Sequence, residues 1–330
     1  MKKKILQEVL FILKKKSKSN LAKFELIKQG RNSKVYQLRI DKKTYVVKIY
    51  VSNQSQRLKR EINMYKFLKH NKIKNTAELL GFNKTHNFAT YSLIKGKKVN
   101  KISDNNVVKA ANFIVKLNNK NLKSIPRYLA IDGIRKLNDH YDDSNKRIIN
   151  FLKIKPKSKI EDQFLKFVKN SLQSQYKKLL NELETEHFLN LKKIKIYKKN
   201  FILSPSDFGF HNILQKNKIL FFFDFEYSGL DDPTKLICDF ISQPDQLITK
   251  KQENIFKSII LKKIKNRKDI EYLIKVFLPF YKLKWCCIIL NDFRPEKKKI
   301  RLHASRLDNQ TLKSQLIKAK RYYKKNFKEK

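Results

Sequence analysis

The strongest constraint on this chain is a change of period. From Phe24 to Val51 short β-like stretches of largely alternating apolar and polar residues are broken by two polar turns, Gln29-Gly30-Arg31-Asn32 and Asp41-Lys42-Lys43. Alternation of this kind makes half-buried strands joined as hairpins. The next run, "QRLKREINMYKFLKH", carries Leu58, Ile62, Tyr65 and Leu68 at helical spacing. Two more strands are expected in "ELLGFNKTHNFATYSLI", which ends at Lys95-Gly96. Beyond about residue 104 the helical period dominates, most clearly over 161–186, where Phe164, Val168, Leu172, Tyr176, Leu179 and Leu183 share a stripe. One hairpin interrupts the helices, "NILQKNKILFFFDFE", with its turn at Lys216-Asn217-Lys218. Strands first and helices later predict an α+β protein of two lobes. The first, 1–95, is a small antiparallel sheet with one helix, and the second, 96–330, is larger and mainly helical. Residues 1–23 read as a leading amphipathic helix with Leu6, Leu10 and Leu13 on one side, and the lysine-rich last segment as a helix that frays.

Composition limits the classes of function. The formal net charge is +48, which directs attention to polyanions or an anionic membrane surface. Of the 77 basic residues, however, 65 are Lys and 12 are Arg, and they are spread over the whole chain. Arginine is the side chain that reads phosphates and bases bidentately, so its scarcity argues against nucleic acid as the partner. The three cysteines, Cys238, Cys286 and Cys287, have no metal-binding spacing and fit a reducing compartment. The start lacks a cleavage site after its five-residue apolar run, and no run approaches the ~18 apolar residues of a membrane span. The expectation is a soluble cytoplasmic protein. Weak membrane-surface association, and the choice between monomer and dimer, stay open.

Phosphoryl transfer asks a protein mainly for positioning and charge neutralisation, and this chain offers the required parts in order. Gly30, with Asn32 and Ser33 in the same strand–turn–strand, could lay backbone N–H groups over phosphates. On the third strand Val46 and Lys48 share a face, so Val46 can cover a flat base while Lys48 reaches the phosphates. Thirteen residues on, Glu61 stands at the edge of the inward helix stripe, where it could hold Lys48. The backbone of Leu93, Ile94 and Lys95 lies where an adenine edge could bond. Downstream, Asp207-Phe208-Gly209 spells the metal triplet of protein kinases, yet Asp207 and Asn212 also spell the D-x-x-x-x-N of a kinase catalytic loop. Twelve residues after Asn212, three phenylalanines deliver Asp224 at the end of a buried strand. Asn212 and Asp224 supply the oxygen ligands that Mg²⁺ prefers.

Two further patterns support a site. Residues 224–245 hold six acids and one base, Lys235, an acidic island in a basic chain that suggests a bound cation and a cationic substrate. Acids that cap helices near Pro233 and Pro244 account for part of it. Glycine is scarce, six in all, and four of them (Gly30, Gly96, Gly209, Gly229) fall at the phosphate turn, the lobe junction, the catalytic loop and the turn after Asp224.

The motifs "SDFGFHNIL" and "FFFDFEYSGLDDPTKLICDF", with Gly30, Lys48, Glu61 and Gly96 upstream in order, resemble the aminoglycoside phosphotransferase / choline kinase family over about residues 24–293. The resemblance implies a protein-kinase-like fold, with ATP and Mg²⁺ as cofactors. It implies Asp207 as catalytic aspartate, Asn212 and Asp224 as magnesium ligands, Lys48 on the ATP phosphates, and Asp239 as a buried anchor for the catalytic loop. The D-F-G letters at 207–209 are then a coincidence, and Asp224-Phe225-Glu226 is the counterpart of the metal triplet. Where the family carries His-Gly before the catalytic aspartate, this chain has Pro205-Ser206. The expected reaction is transfer of the γ-phosphoryl group to a hydroxyl of a small metabolite: an amino alcohol, a sugar or an aminoglycoside-like compound. Glu226, Asp231 and Asp232 hint at an ammonium group on that acceptor, and Trp285 is a candidate for its pocket. The alternative is a catalytically weak member of the fold serving as a basic RNA-binding or scaffold protein.

Overall fold

Alternating apolar residues turn one face of the first strands inward, and that face organises the sheet. The computed structural model describes residues 2–13, 23–29, 33–40, 42–51, 55–295 and 309–328. The strands β1 (Lys23–Gln29), β2 (Ser33–Ile40), β3 (Lys43–Tyr50), β4 (Leu79–Asn83) and β5 (Phe88–Ser92) form an antiparallel sheet in the order β1-β2-β3-β5-β4. Tyr36, Leu38 and Ile40 of β2 are buried on one face, joined by Val47 and Phe88. Helix α1 (Lys2–Ile12) covers this face with Ile5, Val9 and Leu10. The expected stripe of Leu6, Leu10 and Leu13 is thus rotated, for Leu6 and Leu13 are only partly buried. A Cβ on Gly81 of β4 would collide with Ile12 Cγ2, so the missing side chain there lets α1 approach. On the opposite face lies α2 (Ser55–His70), whose Leu58, Ile62, Tyr65 and Leu68 are all buried as their spacing predicts.

The chain divides into two compact units, residues 1–133 with 202–231, and residues 134–201 with 232–330. The first therefore contains the sheet and also the segment with the D-x-x-x-x-N motif. After the short β6 (Lys97–Lys98), a capping box of Ser103 and Asn106 starts α3 (Asp104–Leu117). Later in the unit come β7 (Ile202–Ser204), β8 (Ile213–Lys216), β9 (Ile219–Phe222) and β10 (Gly229–Asp231). Asn217 and Lys218, with φ of 48° and 64°, make the two-residue turn between β8 and β9, whose backbone twist suits a tight hairpin. At Gly229 a Cβ would run into the backbone of Leu129 and Ala130, which bonds to β10 through Ala130 N–H to the Leu230 carbonyl at 2.9 Å. Gly209 has no such need, since its φ of −178° is ordinary extended backbone.

The second unit is helical. It contains α4 (Asp139–Leu152), α5 (Lys159–Phe167), α6 (Ser174–Glu182), α7 (Phe188–Lys193), α8 (Pro233–Ser242), α9 (Lys250–Leu261), α10 (Arg267–Ile289) and α11 (Asn309–Phe327). All six residues of the stripe expected over 161–186 are buried, but the helix is not uniform. π-helical turns at Val168–Gln173 and Leu183–His187 join α5 to α6 and α6 to α7. The reason lies in the spacing. Phe164, Val168, Leu172 and Tyr176 recur every four residues, and each such step overshoots an α-turn of 3.6 residues by about 40°. Wider turns hold these side chains on one face. The final helix does not fray: Leu312, Leu316, Ala319 and Tyr323 of α11 are buried, and Tyr322 donates to the Ser242 carbonyl at 2.6 Å. No helix among the described residues is long and apolar enough to cross a membrane.

Candidate active site

The period of two on β3 puts Val46, Lys48 and Tyr50 on the face that receives α2. Lys48 is buried, and its Nζ lies 2.7 Å from Glu61 Oε2, 2.7 Å from Asp224 Oδ1 and 2.9 Å from Glu226 Oε2. Glu61, an edge residue by helix spacing, is drawn inward and also accepts from the Tyr50 hydroxyl. It does not pair with Arg57 one turn away, because Arg57 Nη1 bonds Glu226 at 2.8 Å and its guanidinium stacks over the Tyr227 ring. Burial by itself would lower the Lys48 pKa, but Asp224, Glu61 and Glu226 outweigh it and keep the ammonium charged. Burial, reinforced by Asp224 and Glu226 against the pull of Lys48, raises Glu61 to about 7. Glu226 is lowered: its own burial pushes up, and Lys48 and Arg57 prevail.

The loop carrying Asp207 is held from below by aromatic packing. Phe208 and Phe210 are buried, and the Phe208 ring clusters with Phe113 of α3 at 6.3 Å and Phe222 at 5.9 Å, these two being stacked at 3.8 Å. Asn118, just past α3, grips β7 in both directions, accepting from Leu203 N–H at 2.7 Å and donating to the Leu203 carbonyl at 3.0 Å. Ser206, before the aspartate, has a φ of 67°, a strained conformation for a residue with a Cβ. Asn212 Nδ2 donates to the Asp207 carbonyl at 3.0 Å, and His211 Nε2 lies 3.0 Å from Asp207 Oδ1. His211 was not singled out from the sequence. Its signal is only that it falls four residues after the aspartate.

The β8–β9 register brings Asn212 and Asp224 together. Ile213 pairs with Phe222, and one step outward the Asn212 carbonyl accepts from Phe223 N–H at 3.2 Å, next to Asp224. Asp224 has a φ of 68°, a second strained backbone in the same site. The donor set fits a hard cation. Asn212 spends its amide nitrogen on the loop, which leaves its side-chain oxygen to coordinate. Asp224 is partly exposed, and Glu61, Asp224 and Glu226 offer oxygens within 4.8 Å of one another.

Other expected residues fall as follows. Gly30 and Asn32 lie outside the described residues, and Ser33 is buried at the start of β2. Val46 pairs with Tyr91 of β5. In the 93–95 segment the Ile94 carbonyl accepts from Gly96 N–H at 2.9 Å. The three acids read as facing an acceptor are placed differently: Glu226, Asp231 and Asp232 are all buried. Glu226 is engaged with Lys48 and Arg57, and Asp232 caps α8 by accepting from Thr234 N–H at 2.7 Å. Asp239 is buried as expected, and its partners are on α8 and α10. Lys235 is at 3.5 Å, Trp285 Nε1 donates at 2.9 Å, and Lys284 is in direct contact. Trp285 is thereby tied to Asp239, a bond its sequence neighbours did not reveal.

The sequence matches no protein-family model and no curated protein. Solved structures do match. The ethanolamine kinase of Plasmodium vivax superposes with a TM-score of 0.55 at 16% identity, covering 91% of this chain and 83% of that one. The choline kinase of Cryptosporidium parvum gives 0.58 at 13% identity, over 98% and 97%. The gentamicin complex of APH(2″)-IIa gives 0.60 at 17% identity, over 96% and 95%. The chain has the aminoglycoside phosphotransferase / choline kinase fold. Within that protein-kinase-like fold, Lys48 on β3 and Glu61 on α2 stand on the sheet unit, together with Asp207, Asn212 and Asp224.

Proposed function

We propose that the protein is an ATP-dependent phosphotransferase that moves the γ-phosphoryl group of ATP to a hydroxyl of a small metabolite. The observation that carries this reading is the Lys48 ammonium held at 2.7 Å by both Glu61 and Asp224. A buried lysine fixed between a helix acid and an acid at a strand end is the arrangement phosphoryl transfer requires for gripping phosphates. The fold, shared with ethanolamine, choline and aminoglycoside kinases, supports the same class.

In this reading Lys48 orients the nucleotide phosphates, with Glu61 fixing its position. Asn212 and Asp224 would hold Mg²⁺, which when bound would neutralise charge on the transferring group. Val46 covers the base, and the 93–95 backbone borders it. Asp207 accepts a hydrogen bond from the acceptor hydroxyl and takes its proton as the new O–P bond forms and the bond to ADP breaks. Glu226, itself held by Arg57, braces Lys48 directly, and is not assigned to the acceptor.

The test is an ADP-formation screen with Mg·ATP across amino alcohols, sugars and nucleosides, with Asp207→Ala alongside. At least one class should be turned over by the wild type, with activity down by about 10³-fold or more in the variant. No turnover of any class together with no thermal stabilisation by Mg·ATP contradicts the reading.

A further inference from the structure

Asp207 is the least buried member of the site, and an exposed carboxylate swings freely about its last torsion, which is broad and two-fold. A base that must meet one hydroxyl cannot be left so loose. Its loop removes that freedom at three points. Asp207 N–H bonds the Pro205 carbonyl at 3.0 Å, its carbonyl accepts from Asn212 Nδ2 at 3.0 Å, and its carboxylate Oδ1 lies 3.0 Å from His211 Nε2. The first two fix the backbone, and the third acts on the carboxylate. The imidazole is itself well placed. It sits in the single 3-10 turn Phe210–Asn212, closed by Asn212 N–H to the Gly209 carbonyl at 3.0 Å and pinned by buried Phe210.

We propose that His211 is the positioning residue for Asp207: its Nε2–H donates to Oδ1 and sets the carboxylate plane for the acceptor hydroxyl. The inference rests on Asp207 being the base. It also gives meaning to a departure noted in the sequence. Pro205 and Ser206 occupy the two places before the aspartate, so no histidine is available on that side, and the imidazole comes from the C-terminal side of the loop. A passive alternative, a chance pair of side chains four apart, carries little weight here. In an α-helix that spacing stacks side chains, but here the chain bends at Ser206, Asp207 and Gly209 before it enters a 3-10 turn. A carboxylate bonded by an aromatic N–H is also held in plane as well as in distance.

The experiment compares His211→Phe and His211→Gln with wild type and Asp207→Ala, following ADP release from Mg·ATP with water as acceptor. Phenylalanine keeps the ring and loses the donor. Glutamine carries an N–H at the same reach from Cβ. Misplacing a catalytic group by about 1 Å costs on the order of 100-fold. The expected result is a 10- to 100-fold fall in kcat for His211→Phe, a KM for Mg·ATP within about twofold, and recovery to within a few-fold in His211→Gln. A readout independent of turnover is the ¹⁵N spectrum of the histidine ring, which should show His211 as the Nε2–H tautomer, and a changed signature in Asp207→Ala. An unchanged kcat in His211→Phe while Asp207→Ala is inactive overturns the positioning role alone. So does an Nδ1–H tautomer in the wild type. Full activity in Asp207→Ala overturns the assignment of the base and this inference with it.

Discussion

Each compact unit buries a lysine–carboxylate cluster, and the two are built on opposite principles. In the sheet unit Glu61, Asp224 and Glu226 surround Lys48, with Arg57 on the outer side of Glu226, so three acids face two bases. In the helical unit Asp239 faces Lys235, Lys284 and the Trp285 N–H. The first cluster is acid-rich and includes a strained residue, Asp224, that is partly open to solvent. The second is saturated, and it ties α8 to α10. Buried ion pairs in themselves say little about stability, because desolvation offsets much of the attraction. What distinguishes the clusters is the balance of charge: a surplus of acid is unfavourable unless a cation comes, whereas a saturated carboxylate has nothing further to bind.

The largest effect should come from breaking the first cluster. Lys48→Met removes the cation shared by three carboxylates, and ADP formation should fall by about 10³-fold or more in a coupled assay. Its counterpart, Asp239→Asn, leaves two buried lysines without their carboxylate. It should cost about 3–5 kcal/mol of stability, read as a lower denaturant midpoint, while Mg·ATP still raises the melting temperature. If instead Asp239→Asn abolishes nucleotide binding and leaves the midpoint unchanged, the division of labour between the clusters is wrong.

Smaller effects sharpen the comparison. His140 lies beside the second cluster, bonded to the Tyr281 hydroxyl at 2.9 Å and 4.0 Å from Asp232. Burial, with Lys235 and Lys284, lowers its pKa from 6.5 to about 3. The unfolded chain therefore takes up this proton first as pH falls. The contribution is intact above pH 6.5 and is lost progressively towards pH 3, by about 1.4 kcal/mol per unit within that window. His140→Phe should flatten this part of the stability–pH profile. The smallest effect is expected at Ser103, which caps α3 and touches neither cluster. Ser103→Ala should cost about 1 kcal/mol in denaturant titration and leave ADP formation unchanged.

Much of this was legible in the sequence because it depends on local period. The two-residue alternation gave the faces of β2 and β3, including Val46 and Lys48 together, and the helical spacing of α2 gave Leu58 to Leu68. Of the three phenylalanines ahead of Asp224, Phe222 is core because Phe113 stacks on it, whereas Phe221 and Phe223 are only partly buried. What escaped depends on partners far along the chain. Nothing near Glu226 announces Arg57, 169 residues away, and nothing near Asp239 announces Trp285, 46 residues away. The rotated stripe of α1 escaped for a related reason: its leucines define one face by letter, but the sheet selects Ile5 and Val9. The π-turns after α5 were present in the four-residue spacing, and an assumption of regular helix hid them.

The most direct test is calorimetric titration of Mg·ATP into the wild type and into Lys48→Met. The account expects saturable one-site binding by the wild type and affinity at least tenfold weaker in the variant. Equal affinity in the two, or no binding by the wild type, would contradict it.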